Sequence, residues 1–290
     1  MKVLTFLHRW LGVVLGLFFA MWFLSGMVMM YMPFPSLQEN VRLTSLSDID
    51  TKAITIPTDT VITACGKNEI TALRVISIDA PGFGETSIFE GGMAGFAEAV
   101  TKMLYDLGLS SFWLIGHSMG GMLAQIIAAR TDNNCKGLVL SCTHKGHARP
   151  SVDPLPDDVL NRIEDRSILN DHDFGTLRIQ RMLSGNISPE VQDFLVSIAG
   201  DIRVEGIRWG GAATQYLDTT NYLRDIKIPI LILSANQDIV VKPASLAALI
   251  HDLPKAEHVE MQGVGHAPYC EDADTFNDLI EQFIQRHSDL

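Results

Sequence analysis

The chain has 290 residues, 47% of them hydrophobic, and a formal net charge of −12. That length holds one large domain or two small ones with ample core, and the acidic balance excludes nucleic acid and anionic headgroups as partners of the soluble part. Cys65, Cys135, Cys142 and Cys270 have no C-x-x-C spacing, which speaks against a cysteine metal site.

Residues 10–32, "WLGVVLGLFFAMWFLSGMVMMYM", form a 23-residue run without a charge. As a helix rising about 1.5 Å per residue it is about 34 Å long, enough to cross a bilayer. A buried core helix would show a polar stripe, and a cleaved signal peptide would have a shorter apolar stretch and a small-x-small site, which "YMPFPSL" lacks. The segment therefore predicts a single transmembrane helix in contact with lipid. Lys2 and Arg9 precede it while Arg42 and Lys52 follow at a distance, a bias toward a cytoplasmic N-terminus that leaves the side of the remainder open.

After Pro33 and Pro35 the chain turns polar, and residues 36–73 read as a linker with short candidate strands "AITI" and "TVITA". From Val75 the pattern alternates strand and helix. "VISID" is a buried strand closed by "APGFG"; residues 93–107 are helical; 112–115 form a strand and 119–130 a helix. "GLVLSC" and "KIPILILSA" are strands, 243–253 a helix, "AEHVEMQ" a last strand and 273–286 a last helix. This alternation predicts an α/β fold, a parallel sheet covered on both faces. Cys135 and Cys142 flank one strand, about 20 Å apart at roughly 3.3 Å per residue, too far for a mutual disulfide. Between about 143 and 223 the strand signal vanishes, and periodicity near 159–182 predicts an inserted helical lid.

Gly116-His117-Ser118-Met119-Gly120 matches G-x-S-x-G between a strand and a helix, the context of a nucleophile elbow. So tight a turn needs neighbours nearly free of side chain, and the helix N-terminus points at charge developing beside the serine. A serine hydroxyl needs a base. His266, in "GVGHAPYCED", lies after the last strand, and Asp238 stands at the carboxyl end of "IPILILSANQD", the edge where a parallel sheet gathers catalytic groups. The order Ser118, Asp238, His266 is that expected of such an enzyme. His144 and His147 in "THKGH" lack nearby carboxylates and read as surface residues of the lid loop rather than metal ligands. Asp132, Asp153 and Asp157 read as solvated loop charges, and Trp209 as either channel lining or lid packing.

Through "VISIDAPGFGETS", "LIGHSMGG", "IPILILSANQD" and "GVGHAPYCEDADTFN", residues from about 74 to the C-terminus resemble an α/β-hydrolase-fold enzyme with a helical cap. The resemblance implies Ser118 as nucleophile, His266 as general base then acid, Asp238 as its orienting group and the Met119 N–H as an oxyanion donor. No cofactor and no metal is called for. The opening "FLHRWLGVVLGLFFAMWFLSGMVMMYMPFPSL" resembles the first transmembrane helix of PepSY-associated membrane proteins. The domains expected are therefore residues 1–35 (membrane helix), 36–73 (linker or partial PepSY-like segment) and 74–290 (hydrolase, cap about 143–223).

The resemblance also exposes a gap. The family's first strands and His-Gly oxyanion loop need about seventy residues before the Val75 strand, and only some forty stand between it and the membrane run, without an HG pair; Gly66 is a weak stand-in. The sheet is expected to be truncated, the Val75 strand pairing directly with 112–115, and the oxyanion hole half supplied. Two functions follow: a membrane-tethered serine hydrolase for an ester, thioester or lactone of a small apolar acid, or an inactive fusion remnant working only as a membrane protein. A C–C bond hydrolase or an acyltransferase stands as a variant of the first.

Overall fold

In the computed structural model of the chain, residues 80–83, 86–88, 90–130, 134–185 and 187–288 are described, all within one compact unit, Thr55–Leu290. Four strands, β1 (Phe112–His117), β2 (Cys135–Ser141), β3 (Ile230–Ala235) and β4 (Glu257–Met261), pair in parallel in the order β1-β2-β3-β4. Residues Ile115, Val139 and Leu231 are in register across the first three. β3 is buried throughout, which is why "ILILSA" reads as a continuous apolar run: a central parallel strand is covered on both faces.

The period of two sorts the core. Leu138, Leu140, Ile230 and Ile232 face one side and meet Ala124 and Leu249, from helices α2 (Met119–Arg130) and α8 (Pro243–Asp252). Val139, Leu231 and Leu233 face the other side and meet Phe276, Ile280 and Phe283 of α10 (Ala273–His287). Trp113 lies over Gly137, where an added Cβ would sit 2.2 Å from the indole, and stacks edge-on against Phe283 at 5.7 Å. Helix α1 (Gly92–Asp106) packs on α2.

Between β2 and β3 the chain makes α3 (Asp157–Ile168), α4 (Asp171–Gln180), α5 (Pro189–Gly200), α6 (Val204–Gln215) and α7 (Thr220–Asp225). The helices run on beyond the stretch at 159–182 where the sequence periodicity is plainest. Asn170 and Ser188 cap α4 and α5 by accepting the Asp173 and Val191 N–H. These two helices meet at Gly175 and Gly200, where a Cβ would come within 2.1 Å of Val196 O and 2.3 Å of Asp171 O. α7 instead packs on α2. Trp209 of α6 is buried with Phe96, Ile127 and Ala213, edge-on to Phe96 at 5.9 Å; it fixes the cap to the body.

The predicted membrane helix, residues 10–32, and the Val75 strand lie outside the described residues, as does the expected pairing of that strand with 112–115. Among the described residues no helix is long and apolar enough to cross a membrane. A short helix not foreseen, α9 (Pro268–Glu271), follows the His266 loop.

Candidate active site

Ser118 occupies the turn between β1 and α2 with φ of 52°, a left-handed backbone that non-glycine residues adopt only when their surroundings impose it. The neighbours show why this sequence makes the turn. A Cβ on Gly116 would lie 2.6 Å from Gly120 O and Gly121 Cα, and one on Gly121 would lie 2.6 Å from the Thr143 side chain. Ser118 N–H donates to Ser141 O at 2.9 Å, Gly121 N–H to Ser118 O at 2.9 Å, and the Thr143 hydroxyl to Ser118 O at 2.6 Å.

The loop after β4 brings in His266, 2% exposed by its side chain, beside Asp238 at 6%. Its Nε2 lies 2.9 Å from Ser118 Oγ and its Nδ1 2.9 Å from Asp238 Oδ2. A carboxylate only accepts, so Nδ1 carries the proton and Nε2 is free to take the Ser118 proton. The other oxygen of Asp238 accepts the Val240 N–H at 2.7 Å and the Val241 N–H at 3.1 Å. Burial pushes the Asp238 carboxyl up, but the hydrogen bond and charge of His266 with the two amides outweigh it and hold it below its ordinary value. The three residues singled out from sequence thus form one continuous chain of hydrogen bonds.

Met119 opens α2, so its N–H belongs to the first-turn donors that have no partner within the helix. The cap packs on the side chain of Met119: a Cβ on Gly210 of α6 would lie 3.4 Å from Met119 Sδ. The turn at residues 80–83 reaches the same helix, Gly82 taking φ of 87° so that its backbone abuts Gly206. The segment 36–74, where the sequence predicts no second oxyanion donor, lies outside the described residues.

Other groups crowd the site. His117 packs against the His266 ring at 4.9 Å and Tyr269 at 5.0 Å. Burial, with repulsion from His266, pushes its pKa down to about 3, so it is neutral at pH 7. His144 departs from the surface role expected of it. It is buried, its Nδ1 accepts the Gly146 N–H at 3.1 Å, and burial plus the adjacent His147 ring, 4.5 Å away, lowers its pKa to about 4. His147, by contrast, is exposed.

Among the described residues, Cys142, Asp238 and His266 bring ligand atoms within 4.8 Å of one another. Asp238 and His266 are already bonded to each other, and burial pushes the Cys142 thiol up, away from the thiolate a metal takes. Sequence reasoning missed Thr143 and the Val240 and Val241 amides. Their position just beyond the carboxyl ends of β2 and β3 was the available signal.

The family described as the alpha/beta hydrolase fold matches residues 62–273, beginning within the stretch read as linker. RutD of Pantoea ananatis, named provisionally as a carbamate hydrolase, is 27% identical over 74% of this chain and 80% of its own. A 2-hydroxy-6-oxononadienedioate/2-hydroxy-6-oxononatrienedioate hydrolase of Pseudomonas putida is 25% identical over 73% and 77%. The enol-lactonase of Burkholderia xenovorans shares the fold with a TM-score of 0.61 at 21% identity, over 71% of this chain and 78% of that one. The chain belongs to the alpha/beta hydrolase fold family and is a hydrolase of that fold.

Proposed function

We propose that the chain is a serine hydrolase that cleaves an ester, thioester or lactone of a small apolar acid through a covalent acyl-enzyme on Ser118. The observation that carries this reading is the pair of 2.9 Å contacts joining Ser118, His266 and Asp238. Ser118 Oγ attacks the substrate carbonyl as His266 Nε2 takes its proton, and Asp238 holds the imidazole by Nδ1 and offsets the imidazolium charge. The Met119 N–H stabilises the oxyanion with the positive end of α2 behind it. His266 returns the proton to the leaving oxygen or sulfur, then draws one from the water that cleaves the acyl-enzyme. The roof of α6, with Trp209 and Met119 in one apolar cluster, suits a small apolar acyl group.

A C–C bond cleavage variant is favoured by the likeness to the Pseudomonas putida enzyme and others of the same name. In either case residues 10–32 tether the enzyme to a membrane as a single-pass anchor with the N-terminus on the cytoplasmic side, and the residues between them and the start of the family match at 62 link the anchor to the hydrolase domain. The test is turnover of p-nitrophenyl esters of graded acyl length. Short-chain activity abolished by Ser118→Ala and by His266→Ala supports the reading; a folded chain with no activity on any of them supports the inactive remnant.

A further inference from the structure

We propose that Glu271 is a positioning residue that fixes the His266 loop and ties it to the cap, an inference that rests on the Ser118–His266–Asp238 reading. Glu271 ends α9, five residues after the histidine. Its Oε1 accepts the Gly265 N–H at 2.9 Å and the Ala267 N–H at 3.3 Å, the two amides flanking His266. Its Oε2 accepts both the N–H and the hydroxyl of Ser184, at 2.8 and 2.5 Å. The amide of His266 itself donates to Met182 O at 2.8 Å. Three consecutive amides around the base are therefore spoken for, by Glu271 and by the cap.

Met182 and Ser184 belong to the turn that follows α4 in the cap, so backbone and carboxylate together join cap to base. The junction has no slack: a Cβ on Gly265 would lie 2.8 Å from Met182 O and Ser184 N, and 3.1 Å from Glu271 Oε1. A carboxylate accepting four hydrogen bonds from two loops is a strong clamp, because charge-assisted bonds are shorter and about twice as strong as neutral ones. His266 has to meet Ser118 and Asp238 at once, and a displacement of about 1 Å in such a site costs about a hundredfold in rate. Movement of the cap is thereby transmitted to the alignment of the base.

The test uses the full chain with Glu271→Ala and Glu271→Gln, read by ester turnover and by the low-field proton resonance of the His266 Nδ1–H held by Asp238. Glu271→Ala is expected to lower kcat about a hundredfold with KM nearly unchanged, and to broaden the low-field resonance as the loop opens to solvent exchange. Glu271→Gln, whose amide oxygen still serves one pair of donors, should fall between it and the parent. Unchanged kcat and a sharp resonance in both variants overturn the proposal, as does a loss of thermal stability with kcat intact. If Glu271→Ala fails to fold, Glu271→Gln decides by the same two readouts. Absence of Ser118-dependent turnover in the parent would sink the triad reading instead, while the resonance still reports whether Glu271 holds His266.

Discussion

The Thr143 hydroxyl donates to the backbone carbonyl of Ser118 at 2.6 Å, so the loop leaving β2 braces the strained turn that β1 delivers. A positive φ at serine persists only where surrounding structure holds it, and this contact is part of that hold. Thr143→Val keeps the shape and removes the donor. It should cost about 1 kcal/mol of stability and reduce kcat more than KM, measured by urea unfolding and steady-state kinetics.

Gly116 tests the same turn from the other side. Alanine there would push a Cβ against the Gly120 carbonyl and the Gly121 backbone, which cannot swing aside as a side chain can. Gly116→Ala is expected to destabilise by about 1–3 kcal/mol and to remove nearly all turnover. Retention of parent activity would show that the elbow has more room than its glycines imply.

How far this site could be read from sequence follows from where its parts lie. Ser118, Asp238 and His266 each sit at the end of a run whose apolar pattern marks a strand, and parallel topology forces those ends to one edge of the sheet. Helix α10 was equally plain from its apolar face, and α2 from an apolar run buried nearly all round. The braces were not legible. Thr143, the Val240 amide and the Met182 carbonyl act through backbone or one hydroxyl, and no periodicity records a hydrogen-bond partner distant in sequence. His144 was misread because burial of a loop depends on what the cap places over it.

Acid should destabilise the fold through His117. Its folded pKa, about 3, lies below the ordinary value of about 6.5, so the unfolded chain takes up the proton first. The stability this neutral histidine permits is full above about pH 6.5 and is lost as pH falls toward 3. His117→Asn removes that titration. Urea midpoints measured across this range should fall less steeply with acid in the variant than in the parent; parallel curves would contradict the assignment.

Asp238 acts in the adjoining window. Its folded pKa is lowered, so its contribution is present above the ordinary carboxylate pKa and is lost as pH falls through the folded one. Asp238→Asn presents an amide to His266 Nδ1 and favours the wrong tautomer. By analogy with the same change in a serine protease triad, kcat should fall about 10⁴-fold. It should do so with the fold intact at pH 7, checked by circular dichroism beside the kinetics.

The membrane tether is tested apart from the chemistry. The full chain should stay with the membrane fraction through alkaline carbonate washing, and the chain lacking residues 1–35 should not, because only the uncharged run at residues 10–32 has the length to span a bilayer. Release of the full chain by carbonate would contradict the anchor.

The most direct measurement of the central claim is peptide mass spectrometry of the full chain after reaction with a fluorophosphonate. A single phosphonyl adduct on Ser118 is expected, absent from Ser118→Ala and strongly slowed in His266→Ala, since the serine reacts only when His266 Nε2 takes its proton across the 2.9 Å contact. A folded chain left unlabelled at Ser118, or labelled equally fast without His266, would contradict it.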